Sequence, residues 1–175
     1  MTVLRYVDAT EQSWRNGRGV TRELHSGDGW RLSIATIAEA GSFSVFPGVD
    51  RVFVVADGTV GLDLDGTDLL LEAAQLERFP GECPVHAVPR GGPVLAVNVM
   101  SARATHAVEV DVIRIDGPAP TADAIVLLAG RATSGPSLES LSFLDAVVPA
   151  DAVHCIDALV VLCRVRILGG SPAAG

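Results

Sequence analysis

The residues of this chain best suited to chemistry are arginines that stand beside apolar or glycine-rich segments. Arg22 lies in a segment, Trp14 to Glu23, that also contains amide, glycine and carboxylate residues, and Arg51 directly precedes the apolar run Val52 to Ala56. Arginine is rarely buried without a partner, and its planar guanidinium suits bidentate capture of a carboxylate or phosphate. These residues predict a small-anion site. The simpler alternative is a tight turn at Asn16-Gly17 together with surface ion pairs.

Strand alternation provides a way to place such a site inside a sheet. In the segment Trp30 to Thr36, apolar residues alternate with Arg31 and Ser33, which therefore share a face. If that face lines the interior of a barrel, both side chains point into a cavity. Trp14, Phe46 and Phe79 would form its apolar walls, although ordinary core packing is the alternative for each of them taken singly.

Metal-ligand and nucleophile motifs are missing from the sequence. The four histidines, His25, His86, His106 and His154, are scattered, and there is no His-x-His, HExxH or Cys-x-x-Cys pattern. No G-x-S-x-G elbow is present, and Gly17-x-Gly19 precedes an expected strand rather than a helix. The sequence therefore predicts no catalytic residue, no metal and no cofactor, with a metal site assembled from distant strands left open.

Composition narrows the classes of partner. The chain has 175 residues, 49% of them hydrophobic, and a net charge of −8; all 13 basic residues are arginine. This acidic balance disfavours nucleic acid and anionic membranes, and the lack of lysine excludes a Schiff-base or P-loop lysine. Without a signal-peptide pattern or an apolar run of roughly 20 residues, we expect a cytoplasmic protein. The cysteines Cys83, Cys155 and Cys163 are expected to be free.

Short apolar runs separated by glycine predict an all-β fold. Asp65-Gly66 between two alternating segments predicts a two-residue hairpin turn, and Ser137 to Leu144 is the best candidate for a short helix. The expected strands are Trp30–Thr36, Val52–Ala56, Val60–Leu64, Asp68–Leu71, Val94–Met100, His106–Ile115, Ile125–Leu128 and Ala158–Ile167.

A change in composition at residues 117–120 divides the chain. We predict a β-barrel domain over residues 1–115, a smaller β module over 121–168 packed on the first, and a disordered tail over 169–175. The apolar strand Ala158–Ile167 would either pack between the protomers of a homodimer or lie inside the second module.

Four sequence blocks resemble the HutD/Ves family and follow its order over the first hundred residues. They are W-x-N-G-x-G-V-T-R-E at 14–23, W-R-x-S-x-A at 30–35, F-S-x-F-P-G-x-D-R at 43–51 and N-V-M at 98–100. The resemblance implies a cupin-like (RmlC-like) β-barrel or jelly roll in a compact double-cupin arrangement. It also implies an accessory protein of histidine utilisation, or a stress-associated relative of one. Such a protein would be non-catalytic, bind a small carboxylate such as N-formylglutamate and restrain the pathway.

The resemblance also implies which residues form the ligand site and that the pocket is metal-free. Arginines would contact the anion, Asn16, Ser33 and Asn98 would read an amide or formyl group, and Glu23 and Asp50 would hold the guanidiniums. With Phe46 added from the aromatic wall, the predicted ligand-binding residues are Asn16, Thr21, Arg22, Glu23, Arg31, Ser33, Phe46, Asp50, Arg51 and Asn98. Arg18 and Ala96 depart from the family pattern, which has glycine and an acidic residue there.

Two alternatives to a binding protein stay open. One is a metal-independent isomerase or lyase acting on a small acid or sugar, for which His86, Glu23 or Asp50 would be the general base. The other is a protein-interaction module whose barrel only presents a surface.

Overall fold

The computed structural model describes residues 2–168, which form antiparallel strands and one 3-10 turn at Tyr6–Asp8, with no α-helix in that range. The predicted tail, residues 169–175, lies outside the described residues. None of the described residues forms a helix long and apolar enough to cross a membrane. The strands are β1 Thr2–Leu4, β2 Glu11–Ser13, β3 Gly19–Gly27, β4 Trp30–Ile37, β5 Gly41–Ser42, β6 Val49–Leu64, β7 Thr67–Glu72, β8 Leu76–Pro80, β9 Val85–Ala102, β10 His106–Pro118, β11 Ala124–Ser134, β12 Glu139–Leu141, β13 Ala146–Val148 and β14 Val153–Ile167.

The first sheet has the order β2-β3-β4-β9-β6-β7, with β5 paired to β9 and β8 paired to β6. The long strands β6 and β9 pair with each other in two stretches, separated by register shifts between Val55 and Thr59. Gly58 lies in this bulge with a φ of +90°, which a side chain would strain. Bulges of this kind bend the strands, which allows the sheet to curl into a barrel.

The second sheet has the order β1-β13-β11-β14-β10, with β12 paired to β11. The predicted strand Ala158–Ile167 is part of β14, which is hydrogen-bonded to β10 on one side and to β11 on the other. It is an internal strand, so burial within the sheet accounts for its apolar residues. The homodimer stays a prediction, without support from this strand.

The two sheets do not divide at the boundary expected from composition. Strand β10, assigned from the sequence to residues 1–115, pairs with β14 from His106 to Pro118. The N-terminal strand β1 pairs with β13. Both therefore belong to the second sheet, while the predicted division into domains stays a prediction.

The fold has three hydrophobic cores, one inside each sheet and one between the two sheets. Successive residues of one strand face two different cores in turn. In β6, Phe53 and Val55 face the core inside the first sheet, whereas Val54 faces the core between the sheets. In β11, Val126 faces that middle core and Ile125 faces the core of the second sheet. These strands are buried on both faces, which explains their continuous apolar sequences.

Local turn chemistry was predicted correctly in one place and wrongly in another. Asp65 and Gly66 both have positive φ, 49° and 87°, and connect β6 to β7 as the expected tight hairpin. The predicted helix Ser137–Leu144 is wrong: these residues form turns and the short strand β12. Leu138 and Leu144 have φ values of +52° and +66°, which a right-handed helix excludes.

Candidate functional site

The first sheet curls into the barrel described above, here called the first barrel. Its inner face changes from apolar to polar side chains at one end. Residues directly opposite each other on neighbouring antiparallel strands project from the same face. Rows of side chains therefore run across β4, β9 and β6. From the core outward these rows are Ala35–Ala96–Val55, Ser33–Asn98–Phe53 and Arg31–Met100–Arg51.

A cavity of about 410 Å³ lies over the polar rows, between the turn at Trp14–Asn16 and the loop at Phe43–Phe46. Its lining includes Arg15, Arg31 and Arg51 but no aspartate or glutamate among the described residues. This is notable in a chain with a net charge of −8. The local balance of charge in the cavity favours an anion.

Arg51 is the central side chain of this cavity, and it is only 6% exposed. Its Nη2 donates to Asn98 Oδ1 over 3.1 Å and its Nη1 to the Ser44 carbonyl over 3.4 Å. Its Nε is buried and has no hydrogen-bond partner. Within the described chain, no carboxylate forms an ion pair with it. A buried guanidinium thus faces the cavity without a counter-ion.

Aromatic rings surround the same guanidinium. The Arg51 Cζ atom lies 5.1 Å from the ring centroid of Phe43, 5.7 Å from that of Phe46 and 5.1 Å from that of Phe79. Such contacts stabilise a cation in part. Burial, followed by the nearby charge of Arg31, lowers the pKa of Arg51 to about 10, so the group remains charged at neutral pH.

Asn98 and Ser33 place further hydrogen-bonding groups beside Arg51. Both are buried residues that line the cavity. The Oδ1 atom of Asn98 accepts from Arg51, which leaves the Nδ2 atom to donate elsewhere. Within residues 2–168, neither this Nδ2 nor the Ser33 hydroxyl is assigned a hydrogen bond. Both can therefore donate to a ligand.

Arg31 differs from Arg51 because a carboxylate accompanies it. The Arg31 Nε atom lies 2.7 Å from Glu23 Oε2, in an ion pair without hydrogen-bond geometry. Glu23 itself is absent from the cavity lining. Glu23 was predicted to hold a guanidinium, and it lies beside that of Arg31. It compensates the charge of Arg31 but not that of Arg51.

Asn16 and Thr21 also line the cavity, but their side-chain oxygens are already engaged. Thr21 Oγ1 accepts from Trp14 Nε1 over 2.8 Å, and Asn16 Oδ1 accepts from the Arg18 backbone N–H over 3.1 Å. Gly17 closes the turn with a φ of +70°. These contacts fix the indole of Trp14 as one wall of the cavity.

Three of the predicted site residues do not line the cavity: Glu23, described above, Arg22 and Asp50. Arg22 points away from it, with Nη2 2.9 Å from Glu11 and Nη1 donating to the Ala9 carbonyl over 2.8 Å. Asp50 accepts from Arg103 Nε over 2.6 Å on the other face of β6. Each directly neighbours, along its strand, a residue that lines the cavity, so period-two alternation places both on the opposite face.

Sequence reasoning missed several lining residues. Phe43 and Ser44 lie in the third sequence block, from which only Phe46, Asp50 and Arg51 were predicted as site residues. Arg15 is the variable position of the first block. Met100 alternates with Asn98 on β9, a period-two signal that could have found it. Neither departure from the family pattern reaches the cavity lining: Arg18 donates to the Ala40 carbonyl, and Ala96 is buried in the core below Asn98.

The residues considered as general bases lie outside the cavity. Glu23 is paired with Arg31, and Asp50 is paired with Arg103. His86 is exposed, with its Nδ1 3.3 Å from Ser42 Oγ. Over residues 2–168, no group of three or more side chains is arranged to hold a metal ion.

Comparison with known proteins identifies what this chain resembles. The family model described as HutD matches residues 6–151. Two solved structures from Pseudomonas superpose over 96% of this chain and 99% of their own. One, a conserved protein of unknown function from Pseudomonas aeruginosa, is 27% identical with a TM-score of 0.81. The other, HutD from Pseudomonas fluorescens, is 26% identical with a TM-score of 0.79.

Curated relatives match over shorter segments. An uncharacterised 21.2 kDa protein in the hutC 3′ region of Pseudomonas putida is 33% identical over 117 residues, which are 58% of each chain. Protein Ves from Cronobacter sakazakii is 42% identical over 98 residues, 51% of this chain and 54% of that one. The chain therefore spans little more than half the length of the curated relatives it matches.

The fold prediction is confirmed by more distant structures. A cupin conserved barrel domain protein from Leptotrichia buccalis shares 8% identity with a TM-score of 0.62, over 95% of this chain and 96% of its own. At such low identity the likeness concerns the fold alone. The all-β, cupin-like fold expected from the sequence is the observed one.

Proposed function

The chain belongs to the HutD family, and from that premise we propose that it is a binding protein that holds a small carboxylate in the cavity of its first barrel without transforming it. The ligand would lie above the rows that contain Ser33, Asn98 and Arg51.

One observation carries the proposal: Arg51 is buried in a cavity without acidic residues and has no carboxylate partner among the described residues. An unpaired buried charge is costly, and a bound carboxylate would supply the missing counter-ion. Arg51 Nη1, whose contact with the Ser44 carbonyl is long at 3.4 Å, is the guanidinium atom best placed to bond it. The Asn98 amide and the Ser33 hydroxyl could then donate to its other oxygen or to a neighbouring amide or formyl group.

Family membership supports a finer identification of the ligand. We infer that it is an acid such as N-formylglutamate, and that occupancy of the cavity modulates histidine utilisation in the cytoplasm. Two relatives are consistent with this: one is a protein in a hutC 3′ region, and the other is HutD from Pseudomonas fluorescens, whose structure is described for a formate condition. Formate is the smallest carboxylate, and Arg51 would recognise the carboxylate group that formate shares with such a ligand.

Titration calorimetry with formate, N-formylglutamate, glutamate, urocanate and histidine tests the proposal. We expect saturable binding selective for N-formylglutamate, equal with and without EDTA, and no change in the ligand's NMR spectrum on incubation. The variant Arg51→Ala should weaken binding by about thirtyfold or more, since it removes one partner of a buried charge pair. Arg22→Ala is the matched control and should bind like the wild type, because Arg22 lies outside the cavity.

Unchanged affinity in Arg51→Ala would contradict the assignment of this residue. Absence of binding by every acid would contradict the binding function itself and favour the protein-interaction module. Conversion of a bound acid would favour the isomerase or lyase.

A further inference from the structure

The cavity over Arg51 carries more positive charge than its surroundings balance. Three arginines line it, Arg15, Arg31 and Arg51, and no described aspartate or glutamate does. Glu23 lies 2.7 Å from Arg31 and compensates that charge from outside the lining. Within residues 2–168, neither Arg15 nor Arg51 has a carboxylate partner. Two guanidinium charges therefore remain for a ligand, and a single carboxylate balances only one of them.

Arg15 lies at the tip of the turn between β2 and β3, and hydrogen bonds fix the backbone of this turn. The Gly17 N–H donates to the Trp14 carbonyl over 2.9 Å, and the Trp14 N–H donates to the Gly19 carbonyl over 2.9 Å. The Arg15 side chain is exposed and forms no hydrogen bond or ion pair within the described chain. A fixed backbone thus holds an unpartnered guanidinium at the rim of the cavity.

The guanidiniums of Arg15 and Arg51 reach the cavity from different elements and at different depths. Arg51 is on β6 and only 6% exposed, whereas Arg15 is exposed in the turn that follows β2. Strands β9, β4 and β3 lie between β6 and β2 in the sheet. A ligand with one acid at each end matches this arrangement, with one acid directed into the barrel and the other toward solvent.

Arg31 suits a second acid less well, although it also lines the cavity. Its Nε atom is already 2.7 Å from Glu23 Oε2, so a ligand carboxylate at Arg31 would lie close to the Glu23 carboxylate and be repelled. No described acid forms an ion pair with Arg15. The rim guanidinium is therefore the better partner for the outer acid.

We propose that Arg15 is a specificity-determining residue that binds the second carboxylate of a dicarboxylate whose first carboxylate lies at Arg51. The inference rests on the proposed function, because it requires a ligand at Arg51. An exposed ion pair contributes little affinity by itself. It nevertheless discriminates between a dicarboxylate and a monocarboxylate of the same size.

Titration calorimetry with N-formylglutamate and its two monoamides, N-formylglutamine and N-formylisoglutamine, tests the role of Arg15. Each monoamide keeps the size of the ligand and replaces one carboxylate by an uncharged amide. The monoamide that binds more tightly is the one that retains the carboxylate at Arg51. At low salt we expect N-formylglutamate to bind about fivefold more tightly than this monoamide. The ratio should fall toward one near about 1 M salt, where the Debye length is about 3 Å.

Two substitutions of Arg15 isolate its contact with the ligand. Arg15→Gln should lower the affinity for N-formylglutamate by about fivefold and leave the affinity for the tighter monoamide unchanged. Arg15→Glu should reverse the preference, because the rim then repels the second carboxylate. The ligand-free melting temperature should equal that of the wild type in both variants, since Arg15 is exposed and has no partner within residues 2–168.

Arg18→Gln is the matched control. It removes the same charge from the same turn, but Arg18 donates to the Ala40 carbonyl and does not line the cavity. The fivefold preference should persist in this variant. Its loss in Arg18→Gln as well as in Arg15→Gln would overturn the inference, because the net charge of the turn would then account for the preference.

The remaining outcomes separate this inference from the proposed function. Equal losses for N-formylglutamate and the tighter monoamide in Arg15→Gln, or no loss for either, would overturn the role of Arg15 alone. Binding of monocarboxylates without binding of N-formylglutamate would do the same. Failure of every acid to bind would overturn both the role of Arg15 and the proposed function.

Discussion

Arg51 donates a hydrogen bond from Nη2 to Oδ1 of Asn98 over 3.1 Å, and this bond joins two rows of the inner sheet. Arg51 lies opposite Met100, whereas Asn98 lies opposite Phe53, so the bond runs diagonally between β6 and β9. It fixes the plane of the guanidinium and leaves the amide N–H groups of Asn98 free to donate. One bond thereby links two groups that line the same cavity.

Replacement of Arg51 by methionine should separate stability from binding. Methionine occupies a similar length among the rings of Phe43, Phe46 and Phe79 but carries no charge. Since burial has lowered the pKa of Arg51 to about 10, the charged form is disfavoured here relative to water. We expect the ligand-free melting temperature of Arg51→Met to be equal to or a few degrees above that of the wild type, with carboxylate binding lost. A ligand-free melting temperature several degrees lower would show that the guanidinium stabilises the fold.

A carboxylate placed at position 98 should mimic the ligand. In Asn98→Asp, the new side chain lies where the present Oδ1 is 3.1 Å from Arg51 Nη2. It would supply the counter-ion from within the chain. We expect a higher melting temperature than in Asn98→Ala and an affinity for carboxylates that is reduced by about tenfold or more. Calorimetry on the two variants measures this, and full affinity in Asn98→Asp would show that the anion binds elsewhere.

The loop that carries Phe46 should weaken in acid because Glu82 holds it. Glu82 accepts from the Gly48 backbone N–H over 2.6 Å and from Arg103 Nη2 over 2.7 Å. Hydrogen bonds from Arg103, followed by that from Gly48, lower the pKa of Glu82 from 4.5 to about 2. The folded state therefore binds the proton less well than the unfolded state. The stabilisation is complete above the ordinary pKa of 4.5 and is lost as the pH falls toward 2.

Comparison of the wild type with Glu82→Gln between about pH 7 and pH 3 measures this contribution. The difference in melting temperature should be largest near neutrality and should narrow in acid. Glu109→Gln is the matched control, because the one ion pair of Glu109 among residues 2–168 is a long contact of 3.7 Å with Arg166. A difference between wild type and Glu82→Gln that stays constant with pH would show that the Glu82 carboxylate does not hold the loop.

Much of the fold could be predicted because hydrophobic alternation reports directly on burial. Residues such as Leu32 and Ile34 are apolar because they face the core between the sheets, and the turn at Asp65-Gly66 requires positive φ. The failure at Ser137–Leu144 has a physical reason: its apolar residues suggest helical spacing, but Leu138 and Leu144 lie in turns with positive φ, and Leu144 is buried in the core between the sheets. The pairing of β10 with β14 joins residues about fifty positions apart, which local sequence does not reveal.

For the site, the sequence indicated which types of residue are present better than it indicated the strand face on which each side chain lies. Arg31, Ser33 and Arg51, each of which stands out among apolar neighbours in the sequence, line one cavity. Arg22 follows Thr21 and Asp50 precedes Arg51, so alternation alone could have assigned Arg22 and Asp50 to the opposite face. The absence of a counter-ion at Arg51 could not have been foreseen, because it depends on side chains from β4, β6 and β9 that only the folded sheet brings together.

The row Arg31–Met100–Arg51 has a consequence for the thermodynamics of ligand capture. Its three residues stand on adjacent strands whose backbones are held by ladders of hydrogen bonds. The Arg51 guanidinium, which would receive the anion, is also held by its hydrogen bond to Asn98 before a ligand arrives. Little conformational entropy would therefore remain to be lost on association. Whatever affinity the cavity has should come from preorganisation rather than from a large contact area.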